Sequence, residues 1–96
     1  MNKESIIETI KAEKPYLQEH FGVEEIALFG SYARGEENVD SDVDILVNTK
    51  IKTLGNYFLL LDYLEAKFHK KIDLVTKHNG LSERFLRLIN KDIIYV

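Results

Sequence analysis

The sequence predicts an α/β fold in which a small mixed sheet of three to four strands is covered by helices packed mainly on one face. Short apolar runs typical of strands alternate along the chain with longer segments in which apolar residues recur at helical spacing. The 96 residues also have the length of one small domain, so a single domain is expected over residues 1–96. Strands are predicted at residues 25–29, 43–48 and 71–76, with a short final strand at 93–96.

The first helix is predicted over residues 2–13, where isoleucines recur at helical spacing. Pro15 follows, and the residue before a proline is biased away from the helical conformation. We therefore expect a break there and a second helical turn or kinked continuation over residues 16–21. Gly22 is expected to end this segment, because glycine readily adopts the left-handed conformation found after many helices.

A second helix is predicted over residues 53–68, with Thr53 as its N-cap. At about 100° per residue, one apolar stripe of this helix is expected to pack on the sheet. That stripe consists of Leu54, Phe58, Leu61, Leu64 and Phe68. Leu59, Leu60 and Tyr63 lie outside the stripe, so they are either covered by the N-terminal helix or form a contact surface for another chain.

A last helix is expected between Ser82, as its N-cap, and Asn90. Its predicted inward-facing residues are Phe85, Leu88 and Ile89. The final strand follows this helix.

Composition excludes several classes of protein. The chain has no cysteine, so it has neither a disulfide framework nor a thiolate metal site. No apolar segment resembles a signal peptide or is long enough to span a membrane, so we expect a cytoplasmic protein with no membrane contact. The net charge of −3 argues against broad nucleic-acid binding, although local basic patches are still allowed.

The stretch over residues 28–47 contains the residues that indicate chemistry. The turn Gly30-Ser31 follows a predicted strand, and a glycine there lets the backbone approach a phosphate closely. The N–H groups of Ser31 and of residues 32–34 would begin a short helix whose positive end faces that phosphate. This pattern predicts a phosphate-binding turn.

A carboxylate pair, Asp42 and Asp44, follows ten residues after that turn. Side chains at alternate positions of a strand point to the same face, so these two carboxylates are neighbours. They repel each other unless a cation lies between them. Hard oxygen ligands favour Mg²⁺ or Mn²⁺, so a divalent cation site is predicted beside the phosphate-binding turn.

The residues G-S-Y-A-R-G at 30–35, together with S-D-V-D at 41–44, resemble the signature of the DNA polymerase β-like nucleotidyltransferases. The short chain and the A-R-G continuation resemble the minimal nucleotidyltransferase branch of that superfamily. Members of that branch act as antitoxins beside HEPN-domain toxins. The resemblance implies a polymerase β-like nucleotidyltransferase fold over nearly the whole chain.

Two further residues, Asp73 and Arg34, become candidate site residues in the light of this resemblance. Asp73 alone would be an edge-strand carboxylate in water, but the family has a third metal-binding carboxylate on a neighbouring strand, in a similar setting. Arg34 alone would be a surface residue, but its place in the loop indicates contact with a triphosphate.

The implied reaction is transfer of AMP from ATP to a side-chain hydroxyl, a tyrosine of a partner HEPN-domain toxin, which is thereby neutralised. Two Mg²⁺ ions, or Mn²⁺, would be held by Asp42 and Asp44. Asp73 would hold the catalytic ion and accept the hydroxyl proton. Gly30 and Ser31 would bind the β- and γ-phosphates.

Two other functions are compatible with the sequence. The chain could be a non-catalytic antitoxin that acts by binding alone, or a nucleotidyltransferase of small molecules. Larger relatives have a second domain that helps to hold the base or the acceptor, so we expect a partner protein to complete the site here. The nucleotide preference and the association of two copies of the chain are left open.

Overall fold

The computed structural model describes residues 1–78 and 81–96. In these residues, four helices and four strands follow one another along the chain. They are α1 (Lys3–Phe21), β1 (Val23–Phe29), α2 (Gly30–Arg34), β2 (Val43–Thr49), α3 (Leu54–Phe68), β3 (Ile72–Thr76), α4 (Glu83–Asn90) and β4 (Ile94–Tyr95). The predicted α/β class with a small mixed sheet is confirmed. Over the described ranges, no helix is both long and apolar enough to cross a membrane.

The four strands form one sheet in the order β3-β2-β1-β4. β1 pairs antiparallel with both β2 and β4, whereas β2 and β3 are parallel and are joined through α3. In this register, Asp44 lies between Phe29 of β1 and Asp73 of β3. The end of β1 and the beginnings of β2 and β3 therefore meet at one end of the sheet.

Most of the core lies on the face of the sheet covered by α1 and α3. There Val43, Ile45 and Val47 of β2 are fully buried among residues of both helices. The opposite face is packed by α4, whose Phe85 ring meets Phe29 edge-on at a centroid distance of 6.1 Å. The prediction that helices pack mainly on one face is thus confirmed, with α4 on the other.

The predicted end of the first helix at residue 13 is wrong, because α1 continues through Pro15 to Phe21. Of the two alternatives for residues 16–21, the structure therefore has the continuation. A proline inside a helix removes one backbone donor, but the second half of α1 is held by its buried residues Leu17 and Phe21. The predicted end at Gly22 is confirmed, since this residue has φ +67° and its N–H donates to the Leu17 carbonyl.

The predicted bounds of α3 are confirmed, and Thr53 caps the helix by accepting a hydrogen bond from the Asn56 N–H at 3.1 Å. The predicted stripe is confirmed for Leu61, Leu64 and Phe68, which face the core. It is wrong for Leu54, which is 77% exposed, and for Phe58, which is 54% exposed. Tyr57 and Leu60 face the core in their place. One cause is Tyr57, whose hydroxyl donates to a carbonyl of β3 at 2.6 Å and so turns this side of the helix inward.

Of the two alternatives for the other side of α3, cover by the N-terminal helix is confirmed for Leu60 and Tyr63. Leu60 is only 1% exposed, and the Tyr63 ring stacks on Tyr16 of α1 at a centroid distance of 4.8 Å. The Tyr63 hydroxyl donates to the carboxylate of Glu13. α1 therefore covers this side of α3, while Leu59 is 64% exposed.

In α4, the predicted N-cap is confirmed, because the Ser82 hydroxyl oxygen accepts from the N–H groups of Arg84 and Phe85. Phe85 and Ile89 pack inward as predicted. Leu88 does not, since it is 68% exposed. It lies about 80° around the helix from the centre of the Phe85–Ile89 pair, which turns it toward solvent.

Candidate active site

The phosphate-binding turn predicted from the sequence lies where β1 ends and α2 begins. Gly30 has φ +75°, a conformation that L-residues with a side chain rarely adopt. A β-carbon at this position would come within 2.0 Å of Asp44 Oδ2 and 2.8 Å of Asp44 Cγ. Backbone conformation and the lack of space thus both require glycine here.

The short helix α2 holds this turn in place. It extends from Gly30 to Arg34 and is followed by Gly35, which has φ +72°. The Glu36 N–H closes the turn by donating to the Ser31 carbonyl at 2.9 Å. Tyr32 and Ala33 are buried in the core and anchor the helix from below. The backbone of Gly30 and Ser31 is thereby fixed beside Asp44, although a helix this short adds little dipole of its own.

The three predicted acids lie at the same end of the sheet. Parallel pairing places Asp44 directly beside Asp73, and their carboxyl groups share a hydrogen bond. Burial, this hydrogen bond and the charges of Asp73 and Asp42 together raise the pKa of Asp44 from 3.8 to about 6. The Asp44 carboxyl is therefore easier to protonate than an ordinary aspartate, because its negative form is disfavoured by burial and by the acids around it.

Arg34 lies at the edge of this acidic site. Its guanidinium forms ion pairs with Glu36 at 3.5 Å and with Asp92 at 3.7 Å. The positive charge of Arg34 lowers the pKa of Asp44, whereas the neighbouring carboxylates raise it. Asp92 was not predicted as a neighbour of the site, because only the pairing of β4 with β1 brings it there.

These oxygen donors suit a divalent cation. Among residues 1–78 and 81–96, no group of three or more acidic or histidine side chains is arranged to hold a metal ion by itself. The close pair is Asp44 and Asp73, with Asp42 acting on Asp44 through its charge. Mg²⁺ typically takes one or two carboxylates and completes its coordination with substrate phosphates, which fits this arrangement. A cation here would offset the repulsion between these carboxylates, and the assignment of metal ligands stays a prediction.

Comparison with known proteins gives the family of this chain. The model of the family "Polymerase beta, Nucleotidyltransferase" matches residues 11–95. The protein adenylyltransferase MntA of Thermococcus cleftensis is 43% identical over 94 residues, which cover 97% of this chain and 94% of that protein. A candidate protein adenylyltransferase of Methanocaldococcus jannaschii is 38% identical over 95% of this chain and 94% of its own length. The chain belongs to the polymerase β nucleotidyltransferase family, as the sequence resemblance implied.

Solved structures agree with this assignment. A candidate minimal nucleotidyltransferase superposes with a TM-score of 0.80 at 30% identity, over 98% of this chain and 95% of that one. A toxin–antitoxin complex with AMP-PNP contains a chain that superposes with a TM-score of 0.68 at 23% identity, over 99% of this chain and 72% of that one. The fold is therefore that of a minimal nucleotidyltransferase.

Proposed function

We propose that this protein is an antitoxin that transfers AMP from ATP to a side-chain hydroxyl, a tyrosine, of a HEPN-domain toxin and thereby neutralises it. The observation that carries the proposal is the contact between the Gly30 backbone and the Asp44 carboxylate. It supports the proposal because the Gly30-Ser31 turn and the Asp44 carboxylate lie close together in a chain that is 43% identical to a protein adenylyltransferase.

The choice of partner and nucleotide is supported by what is bound in the relatives. One solved complex contains a tri-AMPylated HEPN toxin of Shewanella oneidensis together with a minimal nucleotidyltransferase antitoxin. Another toxin–antitoxin complex contains AMP-PNP, an analogue of ATP. Since ATP and a toxin of this kind are met inside the cell, we place the protein in the cytoplasm.

Each site residue has a role in this reaction. The N–H groups at Gly30 and Ser31 bind the β- and γ-phosphates, and Arg34 contacts the triphosphate from the edge of the site. The acceptor oxygen forms a bond to the α-phosphorus, the bond from that phosphorus to the bridging oxygen breaks, and pyrophosphate leaves. Asp73, the most exposed of the three acids, accepts the proton of the hydroxyl.

The acids also provide the metal site of the proposal. Asp42, Asp44 and Asp73 are the residues that would hold Mg²⁺ or Mn²⁺. Such a cation would supply positive charge to the negative charge that develops during the transfer. The protein itself mainly fixes positions and charges, as is usual in phosphoryl chemistry.

The test uses α-labelled ATP, Mg²⁺ and a HEPN-domain protein encoded by the same genome. We expect the wild type to label that protein and to abolish its toxicity. Asp44→Asn should lose both activities by at least about 100-fold, since it removes a group that acts at the reacting phosphate. Asp40→Asn is the matched control, because this exposed carboxylate lies four residues earlier and outside the site.

Two outcomes would support the other functions. If Asp44→Asn still neutralises the toxin, the protein acts by binding alone. If wild type labels only a small molecule, such as an aminoglycoside, and never the HEPN protein, it is a nucleotidyltransferase of small molecules.

A further inference from the structure

The exposed side of α4 has an unusual composition. Three cations and one apolar residue recur there at spacings of three, four and seven residues, which places them on one stripe of the helix. This basic stripe consists of Arg84, Arg87, Leu88 and Lys91, all of them exposed. Leu88 is the apolar residue at its centre and is 68% exposed.

Helix stability explains only part of this stripe. Arg87 and Lys91 lie near the C-terminus of α4, where the helix dipole favours positive charge. Arg84 lies in the first turn, where the dipole opposes it, and it also repels Arg87 one turn later. Glu83 is one turn before Arg87, yet in the described part of the chain none of the three cations has a carboxylate within 4.0 Å. Helix stability therefore does not account for Arg84.

The stripe lies on the same face of the sheet as the acidic site. Along β2, Asp44 and Leu46 point to one side, and Leu46 packs in the cluster with Phe85 of α4. The C-terminal end of α4 leads to Asp92, which pairs with Arg34 at the edge of the site. The stripe thus extends from the outer end of α4 to the edge of the acidic site.

α1 and α3 cover the other face of the sheet, so among the described residues this face leaves an approach to the acids for a macromolecular acceptor. The chain as a whole has a net charge of −3, whereas the stripe beside the site is positively charged. The basic stripe would attract an acidic partner to the site, and the net negative charge of the rest of the surface would repel it. The exposed leucine provides an apolar contact in the middle of the charged stripe.

We propose that the basic stripe is the docking surface for the acceptor protein, and that the acceptor presents an acidic segment with an apolar side chain next to the hydroxyl that is modified. This inference rests on the proposed function and adds the surface and the chemistry that select the acceptor. In this proposal the stripe binds the partner protein, and the turn at Gly30 binds ATP.

The test compares two double charge reversals of equal net effect. Arg84→Glu/Arg87→Glu reverses the stripe, and Lys11→Glu/Lys50→Glu reverses two exposed lysines away from α4. For the stripe variant we expect kcat/KM for AMP transfer to the HEPN-domain protein to fall at least about tenfold, with ATP affinity within about twofold of wild type. The control pair should match the wild type in both measurements. Raising the salt concentration should slow wild-type transfer and have little effect on the stripe variant.

Circular dichroism reports whether the stripe variant is folded. If charge reversal unfolds α4, the pair Arg84→Gln/Arg87→Gln replaces it, because these substitutions remove the positive charges without introducing negative ones. Equal transfer by the stripe variants and the control pair would overturn the inference while leaving the proposed function intact. No transfer by the wild type would instead overturn the proposed function. A fluorescent single-stranded RNA is the third probe: if the stripe variants lose RNA binding and still modify the protein normally, the stripe serves nucleic acid and the inference is wrong.

Discussion

The backbone of Gly30 lies against the carboxylate of Asp44 so closely that a β-carbon on Gly30 would overlap Asp44 Oδ2, at 2.0 Å. Gly35, at the other end of α2, has nearly the same φ but open space around it. A comparison of substitutions at the two glycines therefore distinguishes two effects. Both positions would have backbone strain, but only Gly30 has the Asp44 carboxylate in close contact.

This pair of glycines gives the first prediction. Gly35→Ala should cost about 1 kcal/mol of unfolding free energy, because only the left-handed conformation is strained. Gly30→Ala should cost about 2 kcal/mol or more and should also abolish ATP binding, because the new methyl group displaces Asp44. Urea denaturation and calorimetry with ATP measure the two effects. Equal losses of stability and normal ATP binding by both variants would show that the close contact does not matter.

The second prediction concerns Asp44 in protein without metal. Its pKa in the folded state, about 6, is above the ordinary value of 3.8, so the folded state binds the proton more tightly than the unfolded state. This shift costs stability above pH 6, the cost fades as the pH falls from 6 to 4, and it is absent below. Asp44→Asn should therefore stabilise the protein at pH 7.5 by about 1 kcal/mol, a value discounted because the carboxylate is only partly buried.

The measurement is the melting temperature of both proteins in EDTA between pH 3.5 and 8. The difference in favour of Asp44→Asn should grow with pH and level off above 6. A variant that is less stable at every pH would mean that Asp44 is a structural residue.

The third prediction concerns the metal. Three carboxylates and a triphosphate repel one another, so ATP should bind much more tightly with Mg²⁺ or Mn²⁺ than with EDTA. Titration calorimetry in the two conditions gives the two dissociation constants. Equal affinity would exclude a site in which cations join the acids to the phosphates.

How far the sequence predicts this protein depends on the kind of residue. The sequence identifies Gly30, Asp42 and Asp44 as candidate site residues because they lie within a short stretch whose spacing is informative by itself. Asp73 needed the family resemblance, since a single carboxylate in a strand has no distinctive neighbours in sequence. The parallel register that places it beside Asp44 follows from the fold.

Side-chain orientation was predicted less well. In α3 nearly every turn has apolar residues on more than one side, so periodicity alone could not choose between Leu60 and Phe58 as the inward residue. The hydroxyl of Tyr57 and the cover provided by α1 decide it. Asp92 was missed because its contact with Arg34 depends on a strand pairing between distant parts of the chain.

This correction gives the fourth prediction. Leu60→Glu places a charge in the core and should cost about 4 kcal/mol or more, enough to unfold much of a small domain. Leu59→Glu, the adjacent residue on the exposed side, should change stability by less than about 0.5 kcal/mol. Chemical denaturation followed by circular dichroism distinguishes them. A folded Leu60→Glu variant would mean that this residue belongs to a surface after all.

The central claim is that the protein transfers the AMP part of ATP to a hydroxyl of a partner protein. The most direct test incubates the protein and a HEPN-domain protein with Mg²⁺ and ATP labelled either at the α- or at the γ-phosphorus. The account predicts that α-label appears on the HEPN protein and that γ-label is released as pyrophosphate. Transfer of the γ-label to the HEPN protein, or toxin neutralised with no label from either position, would contradict it.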